Sequence, residues 1–270
     1  MLKQLIKRPV RAVVAAIAPH VWRYRKRSLL VLMYHRVFTK DDPRWHIEQP
    51  GMVVSVDAFK MHLEVIKQHF DPVRLGEWIR SSLDGAAVPE RACAVTFDDG
   101  WRDNFDNAYP LLRQAGVPAT IFLVSDLVGT NHMFWPERLA LNLTDGLRRV
   151  GADLFRLPEY RWLSALGLTA SIDRAGLNRD SLDRIVEGAK RIPDTELQHK
   201  LDAMERVVCP DAQRPASLLD WRQVGEMVQS RLVDIGSHTR RHVRLRTGLD
   251  ASVLEEEVIG SKRALEQQLK

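Results

Sequence analysis

Cysteine is scarce, with only Cys93 and Cys209 in 270 residues. A small secreted scaffold stapled by disulfides is therefore excluded. Cys93 sits in an apolar run and reads as a buried free thiol. No apolar run approaches the roughly 20 residues that cross a bilayer. Ala12 to Ala18 is the nearest and stops far short. Fifteen Gly and 13 Pro are too few for a collagenous or low-complexity chain. Acid is absent from residues 1–28, which hold eight of the 40 Lys and Arg, so the remainder carries 32 basic against 35 acidic side chains. The body is mildly acidic, which argues against a nucleic-acid-binding face. The basic segment 1–28 has three readings: a solvated arm or packed helix, a stretch lying on an anionic membrane surface, or a signal peptide ending at Ala16-Ile17-Ala18. Its apolar core is minimal and Arg23 to Arg27 follow at once. A cytoplasmic or peripheral inner-membrane location is therefore expected over secretion.

What is present is an α/β rhythm. Leu29 to Met33 reads as a strand buried on both faces. A helix is expected over 57–69, with Asp57 as N-cap and Phe59, Leu63, Val65 and Ile66 on its apolar face. A strand over 72–75, a helix over 75–83, a strand over 92–97, a helix over 105–115 ended by Gly116 and a strand over 119–124 follow. This alternation predicts a parallel sheet with helices outside it. The rhythm breaks near residue 132. Helices are expected over 136–150, 178–192 and 195–207, with no buried strand before 217. We read 132–217 as a helical insertion in a single α/β domain over 29–270. The rhythm returns with a helix over 221–230, a strand over 232–236 and a helix over 251–269. Barrel-like sequence covers 29–131 and 218–270. At roughly 30 residues per strand–helix unit that makes about five units, whereas an eightfold barrel takes about 250 residues.

Two constellations carry chemistry. Thr96-Phe97-Asp98-Asp99-Gly100 runs from a buried strand into two carboxylates, at the strand end where parallel α/β folds bind ligands. Successive strand side chains point to opposite faces, so one carboxylate can bind a metal while the other faces a reacting water. The alternative is a helix cap beside a solvated turn residue. Gly236-Ser237-His238-Thr239-Arg240-Arg241-His242 also follows an apolar strand. Two His four apart can face one way on a helical turn. Two imidazoles and a carboxylate would leave open coordination positions for water and substrate.

With these residues the sequence resembles the polysaccharide deacetylases of the NodB type, carbohydrate esterase family 4. Thr96 to Gly100 matches the first motif of that family and His238 to His242 its second, H-[ST]-x-x-H. Leu32 to Val37 is similar to the first strand of many members, and Ala108, Pro110, Leu111, Gly116 and Pro118 fit the framework after the first motif. The long helical segment resembles the branch associated with bacterial polysaccharide biosynthesis. The resemblance implies a distorted (β/α) barrel of the NodB/glycoside hydrolase-deacetylase type. It also implies a hydrolase that removes N-acetyl groups from a polysaccharide or glycan with a divalent metal, zinc (Zn2+). Carried over by position, Asp98 is the general base, and Asp99, His238 and His242 bind the metal.

The family's later motifs supply an Arg that orients the base, an aromatic pocket and a His acting as acid. They lie further beyond the second motif than the sequence extends, and residues 243–270 contain no His. The expectation is a truncated barrel with only surface carboxylates after His242. A competing expectation is a degenerate barrel that binds metal and glycan with little turnover. His35 or His132 could replace the missing acid only if the fold brought one beside the leaving nitrogen. His35 ends the first strand and is either a substrate-site residue or a buried histidine. Trp135 and Trp221 flank the helical segment and either stack on a sugar ring or bury in the interface with the barrel. Arg240 and Arg241 are solvated or contact an anionic sugar group.

Overall fold

A computed structural model describes residues 28–171, 177–208 and 217–270. The expectations for residues 1–27, membrane contact included, and for Cys209 lie outside the described residues. Among those described, no helix is long and apolar enough to cross a membrane.

The sheet is organised around β5 (Arg91–Phe97), in which Ala92 to Phe97 are all buried. β5 pairs in parallel with β1 (Ser28–Tyr34) on one side. On its other side it pairs with β4 (Asp71–Pro72) and β6 (Ala119–Leu123). β7 (Val233–Ser237) pairs in parallel with β6 and closes the order β1-β5-β6-β7. Tyr34 is level with Phe97, Phe97 with Ile121, and Leu123 with Ser237. The residues that follow each strand, His35, Asp98 and His238 among them, therefore leave the sheet at one edge.

Three expectations are corrected. β1 is not buried on both faces, since Val31 and Met33 are 45% and 61% exposed. It is an edge strand. Helix α1 (Val56–His69) is capped by Ser55, whose hydroxyl accepts from the Ala58 N–H at 3.0 Å, and Asp57 lies in the first turn. Its buried stripe is Phe59, Leu63 and Ile66, while Val65 falls outside that phase and is exposed. Two short strands escaped the sequence pattern. β2 (Arg36–Phe38) and β3 (Val53–Ser55) form a separate parallel pair, and three residues are too few to show alternation.

Helix α2 (Leu75–Leu83) precedes β5. A π-helical turn, Asn104–Ala108, leads into α3 (Tyr109–Ala115). The helix stops at Gly116, whose φ of 67° is the left-handed conformation that glycine takes without strain. After β6 come α4 (Trp135–Val150), α5 (Arg161–Ala165), α6 (Arg179–Ala189) and α7 (Asp194–Val208). These helices build a core of their own around Leu139, Leu143, Tyr160, Leu182, Ile185 and Leu201. The sheet core holds Phe59, Leu63, Phe97, Leu112, Ile121 and Val224. Helix α8 (Trp221–Gln229), opened by a capping box between Asp220 and Gln223, packs on that sheet core. The chain ends in α9 (Ala251–Glu255), a π-helical turn at Glu256–Gly260, and α10 (Ser261–Gln268).

Candidate active site

The site begins where β5 ends. Asp98 continues the strand edge, its N–H donating to the Tyr34 carbonyl at 3.0 Å. Asp99 then takes φ 73° and Gly100 φ 79°. Asp is among the few side chains that tolerate this left-handed region. Glycine suits position 100, because its φ is left-handed and a Cβ there would stand 2.7 Å from Leu123 Cδ2 and push that side chain aside. This reversal, and not strand alternation, sends the two carboxylates in different directions. The Leu219 N–H donates to the Gly100 carbonyl at 2.9 Å and holds the turn.

The second half follows β7. The His238 N–H donates to the Leu123 carbonyl at 2.8 Å, extending the sheet by one residue. The expected helical turn is absent. Thr239 and His242 take φ 66° and 62°, and the His242 N–H donates to Thr239 Oγ1 at 3.0 Å. The Thr hydroxyl closes a loop that brings the two imidazoles together, with ring centroids 5.3 Å apart.

His238 Nε2 and His242 Nε2 lie 3.3 and 3.4 Å from Asp99 Oδ1. One donor atom from each of Asp99, His238 and His242 lies within 4.8 Å of the other two. Asp99 is buried and both imidazoles are partly open. Burial works against ionisation of Asp99, but the two His partners outweigh it and hold the carboxyl well below its usual range. Burial opposes the charged form of His238, yet the Asp99 partner draws its pKa up. The cluster thus attracts positive charge, and its carboxylate-and-imidazole donor set is one that suits zinc and similar divalent ions. Asp98 behaves differently: burial pushes its pKa up, against the pull of His238 and His35. His35 Nε2 lies 4.0 Å from Asp98 Oδ2.

Two further residues support the cluster, and neither is singled out as a site residue in the sequence. The Trp101 indole N–H donates to Asp99 Oδ2 at 3.0 Å, occupying the carboxylate oxygen that does not face the histidines. The Arg36 guanidinium lies 3.9 Å from the Trp101 ring centroid. Arg36 is buried, bonds Asp103 Oδ2 through Nε and Nη2 at 3.1 and 3.0 Å, and reaches Glu48 at 3.0 Å. The available clues were positional, since Trp101 adjoins the first motif and Arg36 follows His35. Trp101, Phe134, Val124 and Leu218 form a small apolar floor, with the Phe134 ring 4.6 Å from that of His242.

The structure thus brings together Asp98, Asp99, His238, His242 and His35. Trp135 packs on the helical core with the Arg244 guanidinium 5.7 Å from its ring, and Trp221 packs on the sheet core. No ring contact joins either indole to the three donors. The exposed His132 imidazole packs 5.6 Å from the Phe134 ring. Arg240 is paired with Asp126 and Glu256, and Arg241 with Glu257. The expectation of only surface carboxylates after His242 is also corrected, because Glu257 is fully buried.

A parallel α/β sheet with a carboxylate beside a carboxylate-and-two-histidine cluster at its carboxyl edge defines the class: a barrel-type α/β fold with a candidate metal centre. Residues 85–270 match the polysaccharide deacetylase family, and the chain belongs to it. It is 32% identical over 137 residues to the poly-beta-1,6-N-acetyl-D-glucosamine N-deacetylase of Staphylococcus epidermidis, across 48% of this chain and 47% of that protein. The enzyme of that name from Staphylococcus aureus is 29% identical over 120 residues, across 42% of this chain and 41% of its own length. The chain therefore spans about half the length of these relatives. Its fold is shared with the Streptococcus pyogenes deacetylase PplD, at a TM-score of 0.51 and 16% identity over 91% of this chain and 70% of that one. IcaB from Ammonifex degensii matches at a TM-score of 0.51 and 18% identity over 89% and 69%.

Proposed function

We propose that this chain is a metal-dependent hydrolase that removes N-acetyl groups from amino-sugar residues of a polysaccharide. The observation that carries the proposal is the Asp98 carboxylate, left out of the short contacts that commit Asp99, beside the convergent Asp99, His238 and His242 donors. The names of the staphylococcal relatives point to a β-1,6-linked N-acetylglucosamine polymer as substrate. The proposed cation is zinc, held by Asp99, His238 and His242. Such an ion supplies Lewis acidity and makes a water acidic enough to ionise near neutral pH.

The rest of the chemistry belongs to the side chains. Asp98 is the proposed base, and it is free for that task because the two imidazoles address Asp99 instead. Water adds across the acetamide carbonyl as Asp98 accepts its proton. The C–N bond breaks, the amine leaves with a proton, and acetate is the second product. His35, beside Asp98, is the proposed partner in that proton transfer. Trp101 keeps Asp99 aimed at the histidines, and Arg36 holds the indole from below.

The test pairs metal content with release of acetate and amine from an N-acetylglucosamine oligomer. We expect one equivalent of zinc and measurable deacetylation, both reduced at least ten-fold in His238→Ala, because one of three protein ligands is gone. Zinc and oligomer binding without acetate release would favour a binding protein. Unchanged zinc affinity in His238→Ala would remove the site from this place.

A further inference from the structure

The loop that carries both histidines is held from the far end of the chain. Glu257 lies on the inward face of the C-terminal helical segment, within its π-helical turn, and its side chain is fully buried. Glu257, Ser261 and Leu265 recur at four-residue spacing, and all three are buried. That stripe would be apolar in an ordinary amphipathic helix, yet two of its members are polar.

Their partners explain why. Glu257 Oε2 accepts the backbone N–H of Arg240 at 3.0 Å and that of Arg241 at 2.8 Å. Glu257 Oε1 accepts the Arg241 Nε–H at 2.7 Å. The Ser261 hydroxyl donates to the Thr239 carbonyl at 2.8 Å, and Ser237 Oγ lies 2.8 Å from Ser261 Oγ. On the other flank, the Ser125 and Asp126 N–H groups donate to the carbonyls of Thr239 and Arg240 at 3.2 and 3.0 Å. The main chain between the two histidines is thus fixed on both sides. Left-handed backbone at non-glycine residues is strained and persists only where surrounding contacts impose it. Thr239 and His242 are two such residues. A buried carboxylate on two successive amides can impose that conformation, because charge-assisted bonds are roughly twice as strong as neutral ones.

We propose that Glu257 is a positioning residue that sets the affinity of the site for a divalent cation by holding both imidazoles towards Asp99. This rests on the reading of Asp99, His238 and His242 as the ligands. Glu257 touches neither substrate nor ligand side chain and acts through the backbone of Arg240 and Arg241. Because the two amides share one oxygen, Gln at this position can keep both backbone bonds while losing the ion pair to Arg241. Ala loses all three.

The test measures cobalt affinity by competition with a chromophoric chelator and records the visible absorption spectrum of the cobalt-loaded protein. Glu257→Ala should bind cobalt at least ten-fold more weakly, within the loss usual for residues that orient ligands, and with an altered spectrum. Glu257→Gln should recover most of the affinity, and Arg241→Gln should resemble the parent. Glu257→Asp retains charge but is one methylene too short to reach both amides. It should fold if Glu257→Ala does not, and should bind cobalt several-fold more weakly than Glu257→Gln. His238→Ala, run in parallel, separates the two ideas. If it abolishes binding while folded Glu257→Ala or Glu257→Asp keeps the parent affinity and spectrum, the positioning role is overturned and the metal site stands. If His238→Ala binds like the parent, the metal site falls and the positioning role with it.

Discussion

Asp98 and Asp99 are neighbours that share burial and the same histidines, yet their pKa values move in opposite directions. Asp99 has its two oxygens committed, one to Trp101 and one towards the histidines. Asp98 has no such short contact: the His35 imidazole stands 4.0 Å away, and His238 pulls on it from a distance. This division predicts opposite phenotypes for the same substitution. Asp98→Asn should keep the metal and lose deacetylation by about 10²–10⁴-fold, the usual worth of a positioned acid or base. Asp99→Asn should lose metal first. Metal titration and initial rates on both variants decide the matter, and loss of metal in Asp98→Asn would reverse the two roles. At this scale the sequence was readable in residue identity and misleading in conformation. A strand emptying into Asp-Asp-Gly marks a strand-end site. The spacing of His238 and His242 suggests a helical turn, however, and only coordinates reveal the left-handed loop closed by Thr239. Trp101 was unreadable as a partner of Asp99, since an indole donor two residues away leaves no periodic trace.

Elements carry two buried ionic devices with different consequences. Arg36, at the start of β2, faces Asp103 and Glu48 and lies 3.8 Å from Glu137 on α4. Burial pushes the Asp103 and Glu48 carboxyls up, and the Arg36 guanidinium is the largest pull against it, helped at Asp103 by the Val37 N–H and Arg44 and at Glu48 by the Gln49 N–H. Arg36→Met should therefore cost about 3–5 kcal/mol, the usual effect of stranding a buried charge. Denaturant unfolding should show it as a lower midpoint at unchanged slope. A loss under 1 kcal/mol would mean that water already reaches the network. Glu257 acts in the other direction. Burial would raise its pKa, but the Arg241 and Arg240 amides and the Arg241 guanidinium hold it below its usual value. A depressed carboxylate contributes stability that is complete above the unfolded-state pKa of about 4.3. That contribution is lost as pH falls below this value towards the folded-state pKa. The melting-temperature difference between the parent and Glu257→Gln should be present at pH 7 and shrink towards pH 3. A difference independent of pH would show that the contact needs no charge. The long strands and helices were legible because their apolar patterns extend over seven or more residues. The paired strands β2 and β3, and the π-helical turn that buries Glu257, were too short or too irregular for any period to show.

Across the whole molecule, polar links around the site help to join two apolar cores, beside the contact of Ile47 with the helical core. Sequence composition separates them, since the α/β rhythm stops where the helical stretch begins, but it says nothing of how they are joined. Arg244, two residues beyond His242, supplies one joint. Its guanidinium donates to the carbonyls of Lys190 and Ile192, both at 2.8 Å, satisfying orphan groups where α6 ends, and it also pairs with Asp194 at the start of α7. The Gln49 side chain donates to Asp183 at 2.9 Å and Arg179 to the Glu48 carbonyl at 3.1 Å, forming a second joint on the opposite side. Arg244→Ala removes the bonds to Ile192 and Asp194 and one of two to the Lys190 carbonyl, which Arg246 still reaches at 3.1 Å, without touching Asp99, His238 or His242. Each hydrogen bond lost is worth about 0.5–1.5 kcal/mol, and more where charge is involved, so loosening should be local. Hydrogen exchange should speed up over residues 186–208, while amides of β5 and β6, inside the sheet core, keep their protection. Metal affinity should stay within about two-fold of the parent, because outer contacts matter to a ligand only when they fix its orientation. An equal rise in exchange across both cores would mean that they open as one cooperative unit. Unchanged exchange near Lys190 would mean that the remaining links, among them Arg246 to Lys190, Arg36 to Glu137 and the Glu48 and Asp183 joint, hold the helices without Arg244.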